Sequence, residues 1–198
     1  DVLDSYAISH HNRTSVVTQI ANHRSGYHLL HRELEMVRDY INETTPPGVV
    51  NVFPDSNHHN HLMRWLQETK PLDEPWNFDV WLGMWNRINP TICMGEGGPE
   101  YVDPFVDWMQ EHINGDSIHV SSRGDFVLGG YELGLHGHLG QNGSRGSLEN
   151  LSKVFDHAIF GHSHTPGIRR GCMQVGTSSS RKLSYTSGPS SWAHAHAP

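Results

Sequence analysis

The stretch His157-Ala158-Ile159-Phe160-Gly161-His162-Ser163-His164 decides the reading of this chain. A short apolar run ends, a glycine lets the backbone turn, and two imidazoles follow at i and i+2. In an extended segment that spacing puts both rings on one face, where they can reach one metal cluster. Two loop histidines facing solvent would give the same local pattern. The stretch Leu135-His136-Gly137-His138 repeats the arrangement. Working outward, Ser56-Asn57-His58-His59 again follows an apolar run. Asn is a neutral oxygen ligand and the adjacent His can face a substrate, although both residue types are common in turns. At the start, Asp1-Val2-Leu3-Asp4 offers two carboxylates at i and i+3, a spacing that equally fits a plain helix N-terminus.

Composition supports a metal reading. The chain has 198 residues, 35% hydrophobic and 18% charged, which is enough for a real core and excludes a disordered polymer. Histidine is far above its usual abundance, at 17. Cys93 and Cys172 cannot build a disulfide framework and fit a reducing compartment. No apolar run approaches the roughly 20 residues of a membrane span, and no basic-then-apolar leader is visible. These features lead us to expect a cytoplasmic protein without a membrane partner. The net charge is −7 and uneven, with 8 Lys/Arg against 19 Asp/Glu up to residue 140 and 6 against 2 beyond it. The basic tract is no nucleic-acid-binding arm by itself. It fits a local phosphate-facing surface or an ordinary solvated face. The chain begins with Asp1, not Met, and stops at Ala195-His196-Ala197-Pro198. We expect an interior piece of a longer protein: a single domain over 1–198, incomplete at the N-terminus and at the C-terminus.

The periodicity predicts a helix over 27–42, from Leu30, Leu34, Val37 and Ile41 at helical spacing. A buried strand is expected over 49–53, a polar loop over 54–59 and a helix over 61–69. Residues 70–116, with several tryptophans and prolines, read as short helices and loops. Strands are expected over 126–128, 131–135, 157–160 and 173–177, turns at 116–117 and 121–125, and a helix over 147–156. The Ser-, Gly- and Pro-rich tail from 178 reads as loop, linker or edge element. Gly95-Glu96-Gly97-Gly98 lacks the Lys-Ser/Thr of a nucleotide loop and reads as a connection. Strand, polar loop and helix recur, which predicts an α/β layered domain with its site at strand ends.

In their order along the chain, the four motifs resemble the calcineurin-like metallophosphoesterase superfamily. Gly161-His162-Ser163-His164 matches that family's Gly-His-x-His in full. His136 matches its lone His, Ser56-Asn57-His58-His59 resembles Gly-Asn-His-(Asp/Glu), and Asp1 to Asp4 resembles Gly-Asp-x-x-Asp without its glycine. The family's Asp-x-His motif would lie upstream of residue 1. Ser56 stands where a glycine is usual, and His59 where an acid is usual. The stretch 136–147 also looks like a phage-type branch, some of whose members degrade DNA.

The resemblance implies an α-β-β-α sandwich with mixed sheets and an enzyme, a metal-dependent phosphoric ester hydrolase with a dinuclear centre. It makes Asp1 the bridging carboxylate, Asn57, His136 and His162 the ligands of one ion, and His164 a ligand of the other. Mixed oxygen and imidazole donors suit two divalent ions, manganese first, with Fe, Zn or Mg as alternatives. Hydroxide on the metals would attack phosphorus in line. His58 would act as the general acid, held by Asp4. His138 and Arg145 are candidates for substrate binding, a solvated loop position being the bland reading of each. The expected substrate is the phosphodiester of DNA, making the protein a nuclease. Alternatives are a phosphomonoesterase for nucleotides or phosphoproteins and an inactive metal-binding scaffold. A homo-oligomer stays open. Of the remaining histidines, His10 and His11 are candidates to line a cleft. His28, His31 and His112 read as surface or packing residues, and no partner is identified for His194 and His196.

Overall fold

Leu30, Leu34, Val37 and Ile41 all point inward from one helix, as their spacing requires. The helix runs over Leu30–Thr44 in the computed structural model, which describes residues 2–9, 12, 15–93, 102–120, 126–183 and 188–197. Asp1, His10, His11, the turn at 121–125 and the glycine run at 95–98 lie outside the described residues.

The architecture is α/β with mixed strand directions. A 3-10 turn over Tyr6–Ile8 opens the chain. The α-helices are α1 (Val16–Ser25), α2 (Leu30–Thr44), α3 (His59–Glu68), α4 (Phe78–Cys93), α5 (Pro104–His112) and the single turn α6 (Leu148–Leu151). The strands are β1 (Asn51–Pro54), β2 (Ser117–Val120), β3 (Val127–Leu128), β4 (Tyr131–Glu132), β5 (Ala158–Phe160), β6 (Gly167–Arg169) and β7 (Cys172–Gln174). β1 and β2 form a two-stranded sheet. The N–H of Asn51 donates to the Asp116 carbonyl and that of Asp55 to the Val120 carbonyl, so both strands run the same way.

The chain divides into two compact units, Asp1–Val52 with Asn57–Ile118 and Phe53–Ser56 with His119–Pro198. The boundary falls inside β1 and again inside β2. The first unit is helical, with α3 packed on α4 and α5. Leu62, Trp65 and Leu66 from α3, Met84 from α4, and Phe105, Val106 and Met109 from α5 are buried. Asp103 caps α5, accepting the N–H groups of Phe105 and Val106.

The second unit holds a five-stranded sheet in the order β3-β4-β5-β7-β6. β4, β5 and β7 are parallel neighbours, while β3 and β6 pair antiparallel at the two edges. Leu135, Leu151, Ala158, Phe160 and Cys172 form its apolar core, with Leu148 and Phe155 against it. Burial pushes the Cys172 thiol pKa up, and the thiol donates to the Phe155 carbonyl.

Several elements differ from the sequence reading. The helix expected over 147–156 is one turn, because bonds from Lys153 to Asn150 and from Val154 to Leu151 tighten the chain out of the helix before β5. α4 runs 16 residues where short pieces were expected. α1 was not expected; Val16, Val17 and Ile20 are exposed and Asn22 is buried, so it has no apolar stripe to read. β2 starts at Ser117, where a turn was expected, and His59 belongs to α3, not to a loop.

Candidate metal and acid–base residues

Both histidine pairs of the second unit sit just past strand ends. β4 and β5 are parallel neighbours, so the segments leaving them emerge side by side. The N–H of Gly161 donates to the His136 carbonyl at 3.0 Å, which ties the two loops together. His162 Nδ1 lies 3.3 Å from His136 Nε2, with the rings 5.2 Å apart at 75°. The His138 ring stands 5.4 Å from His136 and 6.0 Å from His162. His136 is buried, while His138, His162 and His164 are half-buried.

The donor set fits a divalent ion. Two imidazole nitrogens each about 2.0–2.1 Å from one ion stand roughly 3.0–3.4 Å apart at octahedral or tetrahedral angles. At 3.3 Å the pair either shares a proton or turns two lone pairs toward a cation. The backbone is costly here. His162 and His164 have φ of 71° and 61°, the left-handed region that side chains with a Cβ rarely occupy. Such strain persists where surrounding structure over-determines it, and it clusters at functional sites. Gly137, between His136 and His138, has φ 102°, and a Cβ there would lie 3.0 Å from the Gly161 carbonyl. A Cβ at 137 would also lie 3.1 Å from the Phe160 ring, so the neighbours would have to give by a few tenths of an ångström.

In the first unit, Asp4 Oδ1 lies 3.2 Å from His58 Nδ1. His58 is the N-cap residue of α3, and its carbonyl accepts the Ser5 hydroxyl at 2.9 Å. The segment carrying Asp4 is thus fastened to the residue Asp4 contacts. Ser5 itself has φ 57°. The same segment turns over Glu33, whose carboxylate accepts the N–H groups of Tyr6 and Ala7. Burial pushes the Glu33 pKa up, against those two hydrogen bonds. Asn57 is half-buried.

His59 does something else. Its Nδ1 lies 3.0 Å from Asp103 Oδ2, with both groups buried, and its ring packs on Phe105 at 4.3 Å. His59 is therefore a packing element joining α3 to the cap of α5. Arg145 is exposed in the loop closed by the Leu139–Arg145 bridge. His194, which sequence reading left without a partner, meets the Ser179 carbonyl through Nε2 at 2.9 Å.

One pair escaped the sequence reading. His119 Nε2 and Asp55 Oδ1 lie 2.5 Å apart at the ends of β2 and β1. An oxygen and an imidazole nitrogen are donors that could hold a divalent cation. The residues are 64 positions apart, so no motif spacing announces them. Among the described residues, no helix is long and apolar enough to cross a membrane.

Comparison with known proteins adds one relative. Over 201 residues the chain is 27% identical to Protein A1 of Escherichia phage T5, a match covering 99% of this chain and 35% of that protein. The chain thus spans about a third of the length of the curated relative it matches. No family model matches, and no solved structure matches.

Proposed function

We propose that the chain carries a dinuclear metal-dependent phosphoesterase centre that hydrolyses phosphodiesters, with DNA as the substrate. The carrying observation is the approach of His136 Nε2 and His162 Nδ1 to 3.3 Å beyond two parallel strands. Ligands of open α/β sheets bind at the carboxyl ends of the strands. The left-handed His162 and His164 add the backbone cost expected of a built site. Similarity to a phage protein fits the phage-type branch. The α-β-β-α sandwich belongs to this same reading.

His136, His162 and His164 act as imidazole ligands, with Asp1 and Asn57 as oxygen ligands by resemblance. Two divalent ions held there, Mn²⁺ first, would supply Lewis-acid chemistry to a phosphoester. His58 delivers the proton to the leaving oxygen, and Asp4 at 3.2 Å orients its ring. His138 steadies substrate beside His136, and the exposed Arg145 meets a neighbouring phosphate through its planar guanidinium.

The test follows Mn²⁺-dependent hydrolysis of plasmid DNA and of a small aryl phosphomonoester by the full-length protein, with His58→Ala as control. DNA cleavage that disappears in the control supports the reading. Monoester turnover without DNA cleavage moves the substrate to phosphomonoesters. Bound metal with neither activity identifies a scaffold.

A further inference from the structure

We propose that Trp192 is a positioning residue for His164, carried on a strap formed by residues 191–195; this rests on the metal reading of the second unit. The tail is not a loose linker. The Gly176 N–H donates to the Ala195 carbonyl at 2.9 Å, and the Thr177 N–H to the Ala193 carbonyl at 3.0 Å. These two bonds lay the tail beside the chain leaving β7. The Ala193 N–H then donates to the His164 carbonyl at 3.3 Å, and the Thr165 and Ser191 hydroxyls meet at 2.7 Å. The strap is thereby fastened on both sides of Trp192.

The indole meets the His164 ring edge to face, with centroids 4.2 Å apart at 83°. A metal-ligating imidazole is almost always held in one orientation by a neighbouring group, and losing that group weakens metal binding. For His164 the T-shaped indole fixes the ring plane, and the Ala193 bond holds a backbone at φ 61°. The seat for the strap is built in: a Cβ on Gly176 would meet the Ala193 carbonyl oxygen at 1.9 Å. A side chain at 176 therefore expels the strap while leaving Trp192 and His164 chemically intact.

The experiment titrates the full chain with Co²⁺ and reads its visible absorption, alongside the melting temperature. Trp192→Ala is expected to weaken Co²⁺ binding about tenfold to a hundredfold, the range for losing a group that orients a ligand. Trp192→Phe restores it, and Gly176→Val reproduces the loss with Trp192 present. Binding unchanged in Trp192→Ala but lost in His164→Ala overturns the positioning role and leaves the metal reading standing. Loss in Trp192→Phe accompanied by a matching fall in melting temperature also overturns it, since the role would be structural. An unmodified chain that binds no Co²⁺, or His162→Ala and His164→Ala variants that bind it as well as the unmodified chain, overturns the metal reading and this proposal together.

Discussion

His58 and His59 are neighbours in the chain, and each stands against an aspartate, at 3.2 Å from Asp4 and 3.0 Å from Asp103. The chemistry of the two pairs is the same; their surroundings are opposite. The Asp4 side chain is 55% exposed and the His58 side chain 27%, whereas those of Asp103 and His59 are 0% and 4% exposed. Asp103 is also committed to the cap of α5 through its other oxygen. On the proposed reading, His58 passes a proton to a substrate from a partly exposed position. Moving one at His59 disturbs a buried pair and a helix end together. Burial, not residue type, separates the pair that the proposed function uses for acid–base work from the pair that joins α3 to the cap of α5.

The comparison breaks most directly on activity. His58→Ala is expected to lower phosphodiester hydrolysis about a hundredfold to ten-thousandfold, with no change in the urea unfolding midpoint. An equal loss in a folded His59→Ala variant would reverse the assignment. Next in size is stability. Asp103→Ala leaves a buried imidazole against a missing partner and is expected to cost about 3–5 kcal/mol in urea unfolding. Asp4→Ala, at an exposed pair, is expected to cost under about 1 kcal/mol.

The third test moves to the second unit. Gly137→Ala must hold a Cβ at φ 102° against the Gly161 carbonyl. An expected cost of about 1–3 kcal/mol, with Co²⁺ binding weakened, would show that the two histidine loops depend on each other. Unchanged binding and stability would show that they do not.

The smallest effect is a pH slope. Because burial raises the Glu33 pKa above its ordinary 4.5, the folded state holds this proton more tightly than the unfolded state does. Its contribution to stability is therefore full below about 4.5 and is lost as pH rises through the higher folded value. Glu33→Gln should flatten the fall in stability above that pH in urea unfolding curves. A wild-type curve that rises over that window and is unchanged in the variant would refute the assignment.

Local signals carried much of the fold. Leu30, Leu34, Val37 and Ile41 announced α2 because one face of that helix is buried. Ala158 to Phe160 announced β5 because that strand sits in the middle of its sheet. α1 was silent because its apolar residues face solvent. The Asp55–His119 and His59–Asp103 pairs were silent for another reason. They join residues 64 and 44 positions apart, and no spacing rule reaches that far. The Asp4–His58 contact was foreseen only through family resemblance, since two residues so far apart share no local pattern. The tail was read as loop, linker or edge element from composition, and composition carries no trace of the backbone bonds that Gly176 and Thr177 make to it.

The left-handed His162 and His164 set a limit on how this chain can be improved. Each holds a conformation that costs an ordinary residue about 1–2 kcal/mol and glycine almost nothing. Selection for thermal robustness alone would drift both positions toward glycine or asparagine. Each such step would harden the scaffold and erase an imidazole. Persistence of histidine at both positions across diverging copies of this chain would mean that selection acts on what the rings do. A stabilised variant library should therefore keep these two codons fixed.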